Sequence, residues 1–134
     1  MTVREITISD YENLVSFWEK NYFVSEMDSH DRLELFLNKN PDLSILAEEN
    51  GIILGTALGS FDGRRGYLQK VVVDKNFRKQ GLGQELVENV VDKLKNLGAV
   101  YIPIAIEQEY VSFYENRGFK KSSQVPMGLD IKQS

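Results

Sequence analysis

The sequence contains no cysteine, one histidine, one tryptophan and three prolines. Without cysteine there is no disulfide, no thiolate metal site and no thiol nucleophile, and the chain is indifferent to redox state. A lone histidine, His30, sits near an expected helix start beside Asp31. That placement fits a surface or capping role and supports no Ser-His-Asp arrangement. No apolar run approaches the roughly 18 residues of a membrane-spanning helix. The opening Met1-Thr2-Val3-Arg4-Glu5 lacks the apolar core of a secretion signal, so a cytoplasmic protein is expected. Stretches rich in Pro, Gly or Ser are absent, as are repeats.

What remains is 134 residues, 42% hydrophobic and 27% charged, with a formal net charge of −4. This fits one soluble domain over residues 1–134, able to bury a core without metal or disulfide support. An acidic molecule does not attract nucleic acid, so any polyanionic ligand needs a local basic site. Neither a nucleic-acid nor a membrane partner is expected.

Hydrophobic periodicity alternates between 2 and 3.6 residues, the pattern of a mixed α/β (α+β) domain. A first strand is expected over 3–8, followed by a helix opened by a Ser9/Glu12 capping box and carrying Leu14, Val15, Trp18 and Tyr22 at helical spacing. A second helix is expected from about Ser29 to Asn38, with Pro41 just beyond it. Strands follow over 44–48, 52–61 and 66–73. The Asn50-Gly51 pair is a two-residue hairpin signal, and Asp62-Gly63 begins a second connection. The nearly continuous apolar run ending Val71-Val72-Val73 suggests a strand central in the sheet. Leu82, Leu86, Val90, Val91, Leu94 and Leu97 repeat at steps of three and four, the buried stripe of a long helix capped by Gly98. A strand over 100–106, a helix from about Glu109 to Asn116 and a terminal alternating strand through Val125, Met127, Leu129 and Ile131 complete the order β-α-α-β-β-β-α-β-α-β.

The informative stretch is Val71-Val72-Val73-Asp74-Lys75-Asn76-Phe77-Arg78-Lys79-Gln80-Gly81-Leu82-Gly83-Gln84. It runs from an apolar strand through a basic turn into a helix. A helix N-terminus offers unpaired N–H groups and the positive end of the helix dipole, and therefore binds phosphate. Gly81 and Gly83 clear side chains from the backbone, and Lys75, Arg78 and Lys79 place cations at the mouth. A Walker A loop requires Lys-Ser/Thr after the last glycine, where this chain has Gln84-Glu85. A dinucleotide fingerprint requires a third glycine where this chain has Leu86.

Arg78-Lys79-Gln80-Gly81-Leu82-Gly83 instead resembles the Arg/Gln-x-x-Gly-x-Gly/Ala signature of the GNAT superfamily of N-acetyltransferases. Val111-Ser112-Phe113-Tyr114-Glu115-Asn116-Arg117-Gly118-Phe119 is similar to a second family segment, Phe-Tyr-Glu-x-x-Gly-Phe. The resemblance covers nearly the whole chain, with small bacterial single-domain members nearest. It implies the GNAT fold, a mixed central sheet of about six or seven strands flanked by about four helices. It also implies acetyl-CoA as co-substrate, an amine-bearing small molecule or peptide as acceptor, direct transfer without an acyl-enzyme, and no metal. Homodimers occur in the family.

By the same resemblance the backbone of Arg78, Lys79, Gln80, Gly81, Leu82, Gly83 and Gln84 cradles the pyrophosphate. The main chains of Val71 and Val73 hold the pantetheine arm, and an N–H of Val72 or Val73 polarises the carbonyl. Tyr114 falls on the family's general-acid tyrosine. A phenol with a pKa of roughly 10 stays protonated at neutral pH and can donate to a departing thiolate. On its residues alone Tyr114 also reads as a core tyrosine paired with Tyr110.

Two departures stand out. Where many members carry a glutamate on the fourth strand, this chain has Tyr67, Leu68 and Gln69. Where members often have a CoA-contacting Asn, this chain has Glu107, whose carboxylate repels phosphate; it suits either a solvated strand end or contact with the amine substrate. The missing glutamate leaves a non-catalytic acyl-CoA-binding sensor or interaction module on the same fold as the alternative. Arg64 and Arg65 read as a solvated hairpin tip, and Trp18, Tyr22 and Phe23 as core or acceptor-pocket aromatics.

Overall fold

Four strands close one antiparallel ladder in the order β1-β2-β3-β4. They are β1 (Thr2–Glu5), β2 (Ile45–Glu49), β3 (Ile52–Phe61) and β4 (Gly66–Val73). The computed structural model describes residues 1–131, which fall into two compact units, Met1–Pro103 and a second beginning at Ile104. The first unit holds the sheet with α1 (Tyr11–Asn21), α2 (His30–Lys39) and α3 (Leu82–Leu97). The second holds α4 (Val111–Glu115), entered through a 3-10 turn over Gln108–Tyr110.

Adjacent β3 residues point to opposite faces, as a pleated strand requires. Leu58 joins Leu14, Phe17, Trp18, Leu33 and Val72 in the core beneath α1 and α2. Its neighbour Gly59 faces α3, where an added Cβ would come within 2.7 Å of Val90 Cγ1 and 2.7 Å of the Leu43 carbonyl oxygen. Gly55 and Gly66 give α3 the same clearance at Leu86 and Leu94. The predicted stripe of α3 is therefore seated through Leu82, Leu86, Val90 and Leu94 on a sheet that lacks side chains where the helix comes closest, with Val87 buried beside them; Leu97, predicted in the stripe, is exposed as the last residue of the helix.

Both β-hairpins have the predicted bounds for β3 and β4. Asn50 (φ 53°) and Gly51 (φ 77°) are both left-handed, the geometry for which this dipeptide is suited. At the second hairpin Asp62 Oδ1 accepts the N–H groups of Arg64 (2.8 Å) and Arg65 (2.7 Å). Those bonds hold its carboxyl below the usual carboxylate range. Gly98 closes α3 at φ 98°, as predicted.

Several expectations are corrected. The sheet of described residues has four strands rather than six or seven, and its ladder is antiparallel rather than mixed. Its one parallel element is the Arg65–Tyr101 bridge. Residues 100–106 go no further than that bridge, with Gly66 N–H donating to Tyr101 O (2.9 Å) and Val100 N–H to Arg64 O (3.0 Å). Pro103 has no N–H with which to extend a ladder. Residues 125–131 form no strand, and Val125, Met127, Leu129 and Ile131 stand exposed. Alternation makes a strand only where a neighbour pairs its backbone, and Pro126 and Gly128 interrupt this one. β4 lies at the end of the ladder rather than its centre. The strand buried through most of its length is β3, packed on both faces. The capping box ahead of α1 is Thr7/Asp10 rather than Ser9/Glu12, with Asp10 Oδ2 accepting Thr7 N–H at 2.9 Å across a 3-10 turn.

Asp10 is also gripped by Arg4, whose Nη1 and Nη2 donate to its two oxygens at 3.0 and 2.8 Å. The same guanidinium donates from Nε and Nη2 to Glu48 at 2.8 and 3.2 Å, so one side chain joins β1, β2 and the entry to α1. These hydrogen bonds lower the pKa of both carboxyls and raise that of Arg4. A depressed folded-state pKa contributes stability that is present above the unfolded carboxylate range and lost as pH falls through the folded values. In urea unfolding, Arg4→Met is expected to lose most relative to the parent near neutral pH. The gap should close below about pH 4, where unfolded carboxylates protonate. A gap independent of pH would mean that Arg4 acts only through packing.

Candidate active site

β4 ends at Val73, and the chain turns through Asp74 into a 3-10 turn over Lys75–Phe77 before α3 begins at Leu82. Asp74 caps this turn, its Oδ1 accepting Asn76 N–H at 2.8 Å, while its own N–H donates to Leu54 O at 2.8 Å. Two left-handed residues, Lys79 (φ 65°) and Gly81 (φ 86°), then swing the backbone into α3. Gly81 is the N-cap of α3 and makes no side-chain cap, having no side chain. The first N–H groups of a helix find no carbonyl one turn earlier. Leu82, Gly83 and Gln84 occupy those positions, at the positive end of a 16-residue helix.

Lys75, Arg78 and Lys79 are all exposed in the loop, as the sequence reading places them. Arg78 also braces the loop: Nε donates to Val73 O at 3.1 Å and Nη2 to Asn21 O at 3.3 Å. Asn21 Oδ1 also accepts Lys75 N–H at 3.0 Å. The end of α1 thus clasps the loop at two points. Asn21 was not singled out from the sequence, where an Asn closing a helix carries no mark of a partner more than fifty residues away.

β4 carries a bulge just before Val71-Val72-Val73. Thr56 pairs with Val72 and Leu58 with Gln69, so Lys70 and Val71 stand against Ala57 alone. Lys70 takes φ 48°, an unusual conformation for a residue with a Cβ. Val72 is buried, and Val71 and Val73 are half-buried.

Within the second unit, Tyr114 is 6% exposed. Its ring meets Phe113 and Phe119 edge-on, with centroids 5.0 and 5.4 Å apart. Arg117 stacks over Phe113, 3.8 Å from Cζ to centroid, and donates from Nη1 to Phe113 O at 2.7 Å. Phe119 N–H donates to Tyr114 O at 3.1 Å. The Phe-Tyr-Glu-x-x-Gly-Phe segment is thus a small aromatic unit folded around its tyrosine, with Gly118 at φ 91° making the turn. Glu107 is exposed at the N-cap of the 3-10 turn that leads into α4.

The remaining residues of interest fall on the first unit's periphery or in its core. His30 is exposed at the start of α2, with Tyr11 edge-on at 5.1 Å and Asp31 at 3.7 Å. Arg65 lies over the Tyr101 ring. Trp18 is fully buried, whereas Tyr22 and Phe23 are about half exposed.

This antiparallel meander, with α1 and α2 on one face and α3 rising from a glycine turn on the other, is the fold of the GNAT acetyltransferases. Glucosamine-6-phosphate N-acetyltransferase from Arabidopsis thaliana aligns with it at a TM-score of 0.74 and 24% identity, over 96% of this chain and 98% of that one. The chain belongs to the acetyltransferase (GNAT) family, whose model matches residues 9–119, and it is an acetyltransferase. It is 26% identical over 132 residues to an acetyltransferase of Pectobacterium atrosepticum, covering 96% of this chain and 94% of the relative. An acetyltransferase of Yersinia enterocolitica is 27% identical over 136 residues, with the same coverage. Among the described residues no helix is long and apolar enough to cross a membrane.

Proposed function

We propose that residues 1–134 act as one cytoplasmic domain that transfers an acetyl group from acetyl-CoA directly to an amine. The observation that carries this reading is the uncapped start of α3. Two left-handed residues present its first N–H groups, and exposed Lys75 and Lys79 stand in the same loop. This donor set suits a diphosphate: charge-assisted hydrogen bonds from fixed backbone groups, with no residue to deprotonate. Arg78, Lys79, Gln80, Gly81, Leu82, Gly83 and Gln84 would hold the diphosphate, and Val71 and Val73 the pantetheine arm. When bound, acetyl-CoA supplies an activated thioester.

The chain's own groups divide the remaining work. An N–H of Val72 or Val73 donates to the carbonyl oxygen as it gains charge. Tyr114 O–H protonates the departing thiolate. The amine must arrive neutral. With Tyr67, Leu68 and Gln69 where a strand carboxylate would stand, either a water chain or Glu107 would take the proton, and Glu107 alternatively offers a carboxylate for a cationic acceptor. Direct transfer is consistent with a sequence that has no cysteine.

Calorimetric titration of the folded protein with acetyl-CoA is expected to show saturable binding at one site. Thiol release across a panel of amines and amino-terminal peptides should then identify the acceptor class. Absence of saturation would overturn the reading. Saturation without thiol release for any amine would favour a non-catalytic acyl-CoA sensor.

A further inference from the structure

The bulge of β4 is fixed from two sides by groups that the transfer chemistry does not use. On the inner side, Trp18 Nε1 donates to Thr56 Oγ1 at 3.0 Å, and Thr56 Oγ1 donates to Lys70 O at 2.8 Å. Trp18 and Thr56 are both fully buried, so this relay is closed to water. On the other side, Lys70 Nζ pairs with Asp28 Oδ2 at 3.0 Å and donates to Phe23 O at 2.7 Å. It also lies over the rings of Phe23 (4.6 Å), Trp18 (4.9 Å) and Tyr22 (5.3 Å). The side chains of Lys70 and Asp28 are only 11% and 9% exposed. Asp28 in turn accepts Ser25 N–H at 2.9 Å, which ties the link between α1 and α2 to the same point.

A left-handed lysine in a strand is strained, and such a conformation persists only where its surroundings over-determine it. Here the carbonyl of Lys70 is held by Thr56 and its ammonium by Asp28 and Phe23. We propose that Trp18, Thr56 and Lys70, closed by Asp28, form a positioning relay that fixes the β4 bulge and thereby aims the following N–H groups of Val72 and Val73. The inference rests on the acetyl-CoA reading above, which places the thioester along this strand. Donors that polarise a carbonyl act by being held in place before reaction, so slackening the bulge lowers turnover more than affinity.

The test uses Thr56→Val, which keeps shape but cannot accept from Trp18 or donate to Lys70, and Thr56→Ser, which keeps the hydroxyl. Two readouts are taken. Amide ¹H–¹⁵N spectra follow Val72 and Val73 directly, and thiol release from acetyl-CoA, with butylamine as acceptor probe, follows turnover. In Thr56→Val both amide resonances should shift and kcat should fall about tenfold, with the dissociation constant for acetyl-CoA within about threefold of the parent. Thr56→Ser should restore both. Unmoved Val72 and Val73 amides, or unchanged kcat in the face of moved amides, would overturn the proposal. So would a fall in kcat that Thr56→Ser does not restore. If Thr56→Val does not fold, Lys70→Met loosens the same bulge from its other side and is held to the same two results. Should the parent protein fail to bind acetyl-CoA, the acyl-transfer reading falls on that result alone, while the amide spectra still decide whether the relay sets the bulge.

Discussion

Gly83→Glu is expected to abolish measurable acetyl-CoA binding while leaving the protein folded. Gly83 is the second residue of α3 and lies within the helix proper. A glutamate there has better helix propensity than glycine, and a negative charge in the first turn is favourable to the helix dipole. Stability should therefore hold or rise slightly, which separates the binding defect from a folding defect. A carboxylate at this position brings bulk and like charge against the diphosphate. Loss of two charge-assisted backbone hydrogen bonds, at about 1.5–3 kcal/mol each, corresponds to a loss of at least a hundredfold in affinity at about 1.4 kcal/mol per factor of ten. Titration calorimetry beside a thermal melt checks both halves. A stable variant with parental affinity would remove the α3 N-terminus from the binding site.

The second large effect is expected at Tyr114. Tyr114→Phe removes one oxygen and keeps the ring that packs against Phe113 and Phe119. Fold and acetyl-CoA affinity should be nearly unchanged. A positioned general acid contributes about a hundredfold or more, so kcat should fall by at least that factor. Steady-state thiol release gives kcat, and calorimetry gives the affinity of the same preparation. Parental turnover with parental binding would assign the proton to another donor, and Tyr114 would then be a core aromatic only.

These two substitutions fall on residues that the sequence itself brought forward, and the reason is local. The Asn50-Gly51 turn, the Gly98 cap and the Leu82, Leu86, Val90 and Leu94 stripe of α3 are each written in a few neighbouring residues, and each appears where expected; Leu97, at the helix end, does not join the stripe. The Gly81-Leu82-Gly83 turn is local in the same sense, but its two glycines serve different ends. Gly81 permits φ 86° at the N-cap, whereas Gly83 is the second residue of the helix itself. What stayed hidden is long-range. Lys70 lies in a strand read as nearly continuously apolar, and nothing beside it announces a bulge held from Thr56 and Asp28. The bonds from Arg78 to Val73 and Asn21 are likewise invisible in the sequence. The segments 100–106 and 125–131 have the pattern of strands, yet pattern supplies no hydrogen-bonding neighbour, and Pro103 and Pro126 each lack a donor.

The clasp made by Asn21 reaches beyond the loop it holds. Its carbonyl and side chain join the last residue of the first helix to Arg78 and Lys75. On the proposed reading of this loop as the acetyl-CoA site, play at that helix end would reach the bound carrier as a hinge pin passes play to a door, and substitutions in the first helix would adjust affinity without touching the ligand.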